Sequence, residues 1–215
     1  MGFFFKLGNI GKAGNRRKGS AMFETSYGHV EAALVRAYGV PSKALGAFRG
    51  RLGNLQKQGL LGAKNMPGRG AALRYGPDQF HRLIFACELF ESGIGPATVL
   101  GLVEALWESR IAAIFENAER AAKRRDDPGP DDIVMHFGGI HLMTDGLSDA
   151  IPNVNSCALA KLPERMRDWM HLGIDDRVPA RALTVNLSSR LRVFHRALAD
   201  THFAEIEAEK KRRKG

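Results

Sequence analysis

The sequence has few of the features that build covalently linked or membrane-bound proteins. Its only cysteines, Cys87 and Cys157, are too few for a disulfide framework and suit a reducing compartment. No apolar run approaches the roughly 20 residues that span a bilayer. The apolar stretch that opens the chain, Phe3 to Phe5, is far too short for an export signal. These absences predict a soluble cytoplasmic protein with no membrane partner.

Acidic residues are scarce in the first third of the chain. Residues 1–75 contain 13 Lys or Arg but only Glu24 and Glu31, whereas the remainder contains 19 Lys or Arg and 21 Asp or Glu. The net charge of +9 is therefore +11 in the first segment and −2 in the rest. Such a distribution attracts a polyanion to one end. It predicts a nucleic-acid partner and a nucleoid-associated location.

Signatures of catalysis are also missing. The chain contains no nucleophile motif, phosphate loop or metal-binding helix signature, so we expect no enzyme and no catalytic residue. His136 and His141 flank a Gly-Gly step, and His195 and His202 share a helical face. No carboxylate or cysteine completes a ligand set with either pair at a recognisable spacing. We therefore predict no metal site and no cofactor.

The basic segment begins with an arm and a helix. Residues 1–22 are rich in glycine and basic residues, which predicts a flexible arm that either follows a DNA groove or stays a solvated tail. From Thr25 onward, apolar residues at helical spacing predict a first helix that Gly39 ends. Those apolar residues are Val30, Leu34, Val35 and Tyr38.

A second helical segment starts at Ser42, which is a suitable capping residue. Its apolar face consists of Leu45, Phe48, Leu52 and Leu55. Glycines at positions 46, 50 and 53 each cost about 1 kcal/mol in a helix interior. This cost suggests either a break near Gly50 or the close approach of another surface, and it leaves open whether 42–58 is one helix or two.

Turn formers and a long apolar stripe follow. Two short apolar stretches within 60–75 flank the turn-rich residues 65–70, which predicts a β-hairpin wing. Pro77 and Asp78 start the next helix. A helix from about 97 to 125 carries a periodic apolar stripe, which predicts that it pairs with a second copy of the chain.

The C-terminal part mixes strands and helices. We predict a hairpin or bulged strand within 133–143, strands at 157–162 and 182–187, and helices at 163–171 and from Ser188. Its large side chains either line a ligand pocket or pack in the core, and a third alternative is that these elements extend a dimer interface. They are Met135, Met143, Met166, Trp169 and Met170.

These elements predict an α+β, mostly helical fold. Its expected parts are a flexible basic arm (1–22), a winged helix–turn–helix domain (23–95), a long dimerisation helix (96–125), a small mixed α/β effector or dimerisation domain (131–207) and a basic tail (208–215).

Residues 27–108 resemble the MerR family of winged helix–turn–helix regulators. The matching steps are Tyr75, Pro77 and Asp78 after the wing, the Gly93-Ile94 turn, and Leu102-Val103-Glu104. The resemblance implies a homodimeric transcriptional regulator that binds double-stranded DNA. The second helix is longer and richer in glycine than in that family. The cysteines that metal-sensing members carry at the far end of the dimer helix are missing, so the resemblance does not extend to metal sensing.

Readers of duplex DNA need base-edge donors on one helix face and phosphate contacts around it. We predict that the second segment reads bases and the wing grips phosphates. The predicted DNA-binding residues are Ser42, Lys43, Arg49, Arg51, Asn54, Gln56, Lys57, Lys64, Arg69 and Arg74. RNA polymerase or a small-molecule effector would be further partners. The alternatives are an architectural or phage-type excision or packaging factor with weak sequence preference, and an adaptor for an acidic protein.

Overall fold

The computed structural model describes residues 25–61, 74–138, 153–172 and 182–214. The predicted arm, the turn of the predicted wing, and residues His141 and Met143 lie outside these ranges. The elements are β1 (Thr25–Ser26), α1 (Tyr27–Ala37), α2 (Leu45–Lys57), β2 (Arg74–Tyr75), α3 (Pro77–Glu91), α4 (Pro96–Leu106), α5 (Ala112–Ala122), β3 (Ile133–Gly138), β4 (Asn153–Ala158), α6 (Leu162–Leu172), β5 (Ala182–Asn186) and α7 (Leu187–Lys214). The mostly helical α+β prediction is confirmed at this level.

The first two helices are joined by a short connection. Ser26 caps α1, because its Oγ accepts a hydrogen bond from the His29 N–H at 3.4 Å. Gly39 ends α1 in the left-handed region with φ 59°, a conformation that an L side chain disfavours. A 3₁₀ turn over Ser42–Ala44 then leads into α2. Thus 42–58 holds one continuous α-helix, with no break at Gly50.

One local prediction in this segment is corrected. Ser42 does not cap the second helix: it lies inside the 3₁₀ turn, where no side chain makes a capping hydrogen bond. The predicted hairpin stays a prediction, because most of it, residues 62–73, lies outside the described residues. Leu60 and Leu61 form a buried turn after α2, and the short strand β2 pairs antiparallel with β1. The ribbon thus joins the start of α1 to the start of α3.

Helix α3 runs through the centre of the molecule. Pro77 occupies its first turn, and the Gly76 N–H donates to Gln79 Oε1 at 2.9 Å. Every residue from 81 to 89 is buried. A helix covered on all sides needs apolar residues around its circumference or paired polar ones. Arg82 is such a paired polar residue. It forms ion pairs with Asp78 and Glu108, and its guanidinium lies over the ring of Trp107.

The predicted long helix is helical from Pro96 to Ala122, with a π-helical turn over Trp107–Ile111 between α4 and α5. Its apolar stripe packs within the chain. Leu106, Ile111 and Phe115 are buried in the core of their own chain. Apolar side chains of α3, β3 and α7 lie in the same core cluster. Pairing of two protomers through this helix stays a prediction, and its buried stripe does not provide a free surface for it.

A three-stranded antiparallel sheet in the order β4-β3-β5 follows α5. His136 at the middle of β3 lies opposite Asn155 of β4 and Thr184 of β5. The predicted strand at 157–162 is shifted, because β4 covers 153–158 and a 3₁₀ turn occupies 159–161. The predictions of α6 and β5 are confirmed within one or two residues.

Helix α7 joins the two halves of the chain. It runs antiparallel to α1, since Arg190 bonds the Ala37 carbonyl near one end and Glu205 bonds His29 near the other. It also packs against α5. Apolar side chains of both halves therefore share one core cluster. The predicted basic tail is the end of this helix up to Lys214. None of the described helices has the length and apolar character needed to cross a membrane.

Candidate nucleic-acid interface and neighbouring sites

Helix α2 has one apolar face and one exposed face. Leu52 and Leu55 point into the core and are fully buried. About half a turn away, Gly46, Gly50 and Lys57 are exposed, and Gly53 is half-buried beside them. With 3.6 residues per turn, positions 46, 50, 53 and 57 share one stripe. The most solvent-directed side of α2 is therefore smooth along its length and ends in a cation.

The glycines of this stripe have no packing role inside the chain. A Cβ added at Gly46, Gly50 or Gly53 would meet nothing within 4 Å, and none of the three has a positive φ. Alanine would thus fit at each position and would favour the helix by about 0.5–1 kcal/mol. Within the described residues the fold supplies no reason for glycine here. The close approach of an external surface supplies one.

Polar side chains flank the stripe. Arg51 and Asn54 are exposed on one side of it, and Ser42 and Lys43 are exposed at the start of the segment. Asn54 Oδ1 accepts a hydrogen bond from Gln58 Nε2 at 3.3 Å, which leaves its amide NH₂ directed elsewhere. Residues 42–58 include no Asp or Glu. The exposed face of α2 thus offers hydrogen-bond donors and positive charge.

Two predicted base readers have structural partners instead. Gln56 Oε1 accepts a hydrogen bond from the buried Tyr75 hydroxyl at 3.1 Å, and its Nε2 is buried. Arg49 Nε lies 2.6 Å from Glu31 Oε1 of α1. Both side chains project from the side of α2 opposite Arg51 and Asn54. Gln56 therefore ties α2 to the β1–β2 ribbon, and Arg49 ties it to α1.

The predicted wing residues are only partly placed. Lys64 and Arg69 lie outside the described residues. Arg74 lies in β2 opposite Ser26. Because β2 pairs with the strand that leads into α1, Arg74 lies next to the start of that helix. Among the ten predicted DNA-binding residues, six are exposed on the second segment, and one of these, Arg49, pairs with Glu31. The six are Ser42, Lys43, Arg49, Arg51, Asn54 and Lys57.

A cavity of about 410 Å³ lies between the end of α3, strand β5 and the start of α7. Glu91, Arg190 and Val193 are among its lining residues. Glu88 at its wall accepts a hydrogen bond from Tyr38 Oη at 2.7 Å and pairs with Arg190 at 2.5 Å. Burial, with Glu88 beside the hydroxyl, holds the pKa of Tyr38 well above its usual value. The volume is in the range of small-molecule sites.

No methionine is among the described residues that line this cavity. Met135 is fully buried in the core cluster, so the packing alternative applies to it. Met166 is half-buried on α6. Cys87 is buried on α3, and burial raises the pKa of its thiol, so that it stays protonated and unreactive.

A buried ion pair fixes the C-terminal part. Arg192 of α7 donates to both carboxylate oxygens of Asp132, at 2.8 and 2.5 Å, and both side chains are almost completely buried. Arg192 Nε also donates to the Arg125 carbonyl at 2.9 Å. The guanidinium holds the pKa of Asp132 below its ordinary value. Arg192 and Asp132 thus connect the segment after α5, the start of β3 and helix α7.

The histidines fall into separate clusters. His195 Nε2 lies 2.9 Å from Glu119 Oε2, with the buried His81 nearby at 3.6 Å from the same oxygen. His202 lies about two turns further along α7. It contacts His29 and lies near Glu205. Sequence reasoning missed this second cluster. The His-x-x-Glu spacing of 202 and 205 was visible, but the third ligand, His29, is 173 residues earlier in the chain.

Comparison with known proteins finds no relative: no family model, no curated protein and no solved structure matches this chain. The resemblance of residues 27–108 to MerR regulators therefore remains an expectation from the residues that carry it.

Proposed function

We propose that this chain binds double-stranded DNA in a sequence-specific manner through α2 and regulates transcription. The observation that carries the proposal is the exposed face of α2, where glycines form a smooth stripe and donors flank it. An α-helix enters the major groove most closely where its side chains are small. The glycines would let the backbone of α2 approach the floor or wall of the groove.

The charge distribution supports the same partner. Within the part of the chain that the structure describes, no ion pair involves the exposed cations Lys43, Arg51 or Lys57, whereas Arg49 pairs with Glu31. Cations facing solvent on one side attract the phosphate backbone and release its counterions on binding. The remainder of the chain has a net charge of −2, so its excess of positive charge is confined to local segments such as the end of α7.

The roles divide by position. Arg51 and Asn54, next to the glycine stripe, would contact base edges: Arg pairs with guanine O6 and N7, and Asn with adenine N6 and N7. Ser42, Lys43 and Lys57 at the two ends of the segment would contact phosphates. Lys64, Arg69 and Arg74 keep their proposed role as phosphate contacts from the segment that follows α2.

Regulation would be exerted as in the MerR proteins that residues 27–108 resemble, by a protein bound at a promoter beside RNA polymerase. The cavity beside Glu91 and Arg190 would be the place for a small-molecule effector. A homodimer on a two-fold site remains part of the proposal, but it requires a surface other than the stripe of α4 and α5, which is buried.

A second candidate is an architectural role with weak sequence preference. It is favoured by the end of α7, where Lys210 to Arg213 project as exposed cations on a helix that continues to Lys214. A protein with basic segments at both ends can bind DNA through its backbone alone.

Fluorescence anisotropy with labelled duplexes over a range of salt concentrations separates these roles. Lys57→Ala should weaken binding to every sequence equally and lower the slope of log K against log salt by about one. Arg51→Ala should cost about 1–3 kcal/mol on the preferred site and relax preference at one base pair. Arg124→Ala, which removes an exposed cation at the end of α5, is the matched control and should change neither. Equal losses in all three variants would contradict the proposal.

A further inference from the structure

Two imidazoles and a carboxylate meet where the start of α1 lies against the distal part of α7. His29 comes from α1, and His202 and Glu205 come from α7. One ligand atom from each lies within 4.8 Å of the other two. We propose that His29, His202 and Glu205 bind a divalent transition-metal ion, for which Zn²⁺ fits best, and that the ion fastens α7 to α1.

The donor set is the first argument. Two histidine nitrogens and one carboxylate oxygen form a ligand set of Zn²⁺ sites that keep a fourth position for water. His202 and Glu205 are three residues apart on one helix, so both project from the same face. His29 adds its imidazole from the opposite helix, with a ring centroid 4.3 Å from that of His202. The site thus bridges two elements and does not sit on one.

The distance between His29 and Glu205 requires a small adjustment, and the ligand atom of His202 lies within 4.8 Å of both. His29 Nε2 lies 2.6 Å from Glu205 Oε2, a contact that holds a proton between the two atoms. In a tetrahedral Zn²⁺ site with bonds of about 2.0–2.1 Å, neighbouring ligand atoms are about 3.3 Å apart, so these atoms would separate by roughly 0.7 Å. Glu205 is 63% exposed and can make this movement. The ion would replace the shared proton.

Hydroxyl groups behind the rings orient them. Ser26 Oγ lies 2.9 Å from His29 Nδ1, which favours a proton on Nδ1 and leaves Nε2 to face Glu205. Thr25 Oγ1 is within hydrogen-bonding distance of one nitrogen of each ring, 3.4 Å from His29 Nδ1 and 3.3 Å from His202 Nε2. Metal-binding histidines characteristically have such partners on their second nitrogen. The buried Thr25 and the capping Ser26 therefore pre-position the ligands.

Titration calorimetry of the metal-free full chain with ZnCl₂ tests the site, and no DNA is needed for the readout. We expect one ion per chain and, at a hundredfold excess over Kd, a rise in Tm of roughly 5–10 °C. Glu205→Gln and His202→Ala should each weaken binding at least tenfold and abolish most of the shift. Glu207→Gln, an exposed carboxylate two residues along α7, is the control and should bind as the unaltered chain does.

Glu205→Gln keeps the proposal testable if His202→Ala does not fold, because position 205 is exposed and glutamine has nearly the same shape. Co²⁺ in place of Zn²⁺ gives an independent signal, since coordination by histidine and carboxylate changes its visible absorption. Absence of saturable binding by the unaltered chain would overturn the proposal. Binding that survives both Glu205→Gln and His202→Ala would also overturn it, because the ion would then occupy other histidines.

Discussion

Replacing Gly50 by alanine should move stability and DNA affinity in opposite directions. Gly50 is exposed at the middle of α2, and a Cβ there would meet nothing within 4 Å. Alanine loses less backbone freedom on folding than glycine, so Gly50→Ala should raise the free energy of unfolding by about 0.5–1 kcal/mol. For a chain of this length that corresponds to a rise in Tm of roughly 1–4 °C.

The same methyl group should weaken DNA binding. If the backbone of α2 lies against the duplex at Gly50, the added carbon has to displace a contacting atom or lift the helix. Overpacking of this kind costs about 1–3 kcal/mol, which is a loss of affinity of about 5- to 150-fold. The loss should be similar for Gly53→Ala, one turn further along the stripe.

Gly101→Ala is the matched control. Gly101 is exposed in α4, and a Cβ there also meets nothing within 4 Å. It should give the same gain in Tm and leave DNA affinity unchanged. Thermal unfolding by circular dichroism and fluorescence anisotropy on one protein preparation measure both quantities. A Gly50→Ala variant that is more stable and binds DNA as tightly as the unaltered chain would refute the close approach of α2.

The other predictions concern the core. Asp132→Asn should lower the free energy of unfolding in urea by about 3–5 kcal/mol, because it leaves Arg192 buried without its charge partner. The control Asp131→Asn, at an exposed position, should lower it by less than about 1 kcal/mol. The pKa of Asp132 is lowered in the folded state, so its carboxylate stabilises the fold above the unfolded pKa of about 3.9. This stabilisation is lost as the pH falls below that value. The unaltered chain should therefore lose stability over that range more steeply than Asp132→Asn. Phe115→Ala should lower the free energy of unfolding by about 3–5 kcal/mol. The variant that remains folded should have the sedimentation coefficient of the unaltered chain. A shift from dimer to monomer would instead show that the stripe pairs two copies.

The local elements were predictable because their signals are local. Gly39 and Pro77 mark helix boundaries through their own backbone preferences, and Leu52 and Leu55 mark a face through their spacing. The exposed donors Arg51 and Asn54 follow from the same periodicity, since residues opposite a buried face of a helix meet solvent. The helix boundaries and the exposed face of α2 could therefore be predicted from residues that are close together in the sequence.

The contacts that could not be predicted involve partners that are distant in sequence. The stripe of α4 and α5 has the period of a dimerising helix, but the sequence does not state whether its cover is a second copy or the chain's own α3 and α7. Gln56 is predicted to contact bases, and nothing nearby in sequence indicates its hydrogen bond to Tyr75. An apolar stripe and a polar side chain each specify a kind of contact and leave the identity of the partner to the tertiary fold.

The candidate sites divide in the same way. The face of α2 could be anticipated, because one helix supplies it. The His29, His202 and Glu205 cluster could not, because it depends on α7 returning along α1 with the register that Arg190 and Glu205 fix at its two ends. The cavity beside β5 likewise combines α3 with α7.

Selection of bound duplexes from a random DNA pool, at near-physiological salt, tests the central claim most directly. The account predicts that the unaltered chain enriches one recurring sequence and that Arg51→Ala loses preference at a single position within it. An inverted repeat would show that two copies bind together. Recovery of DNA with no common sequence would contradict specific readout by α2 and favour the architectural role. Recovery of no DNA at all would contradict the proposed function.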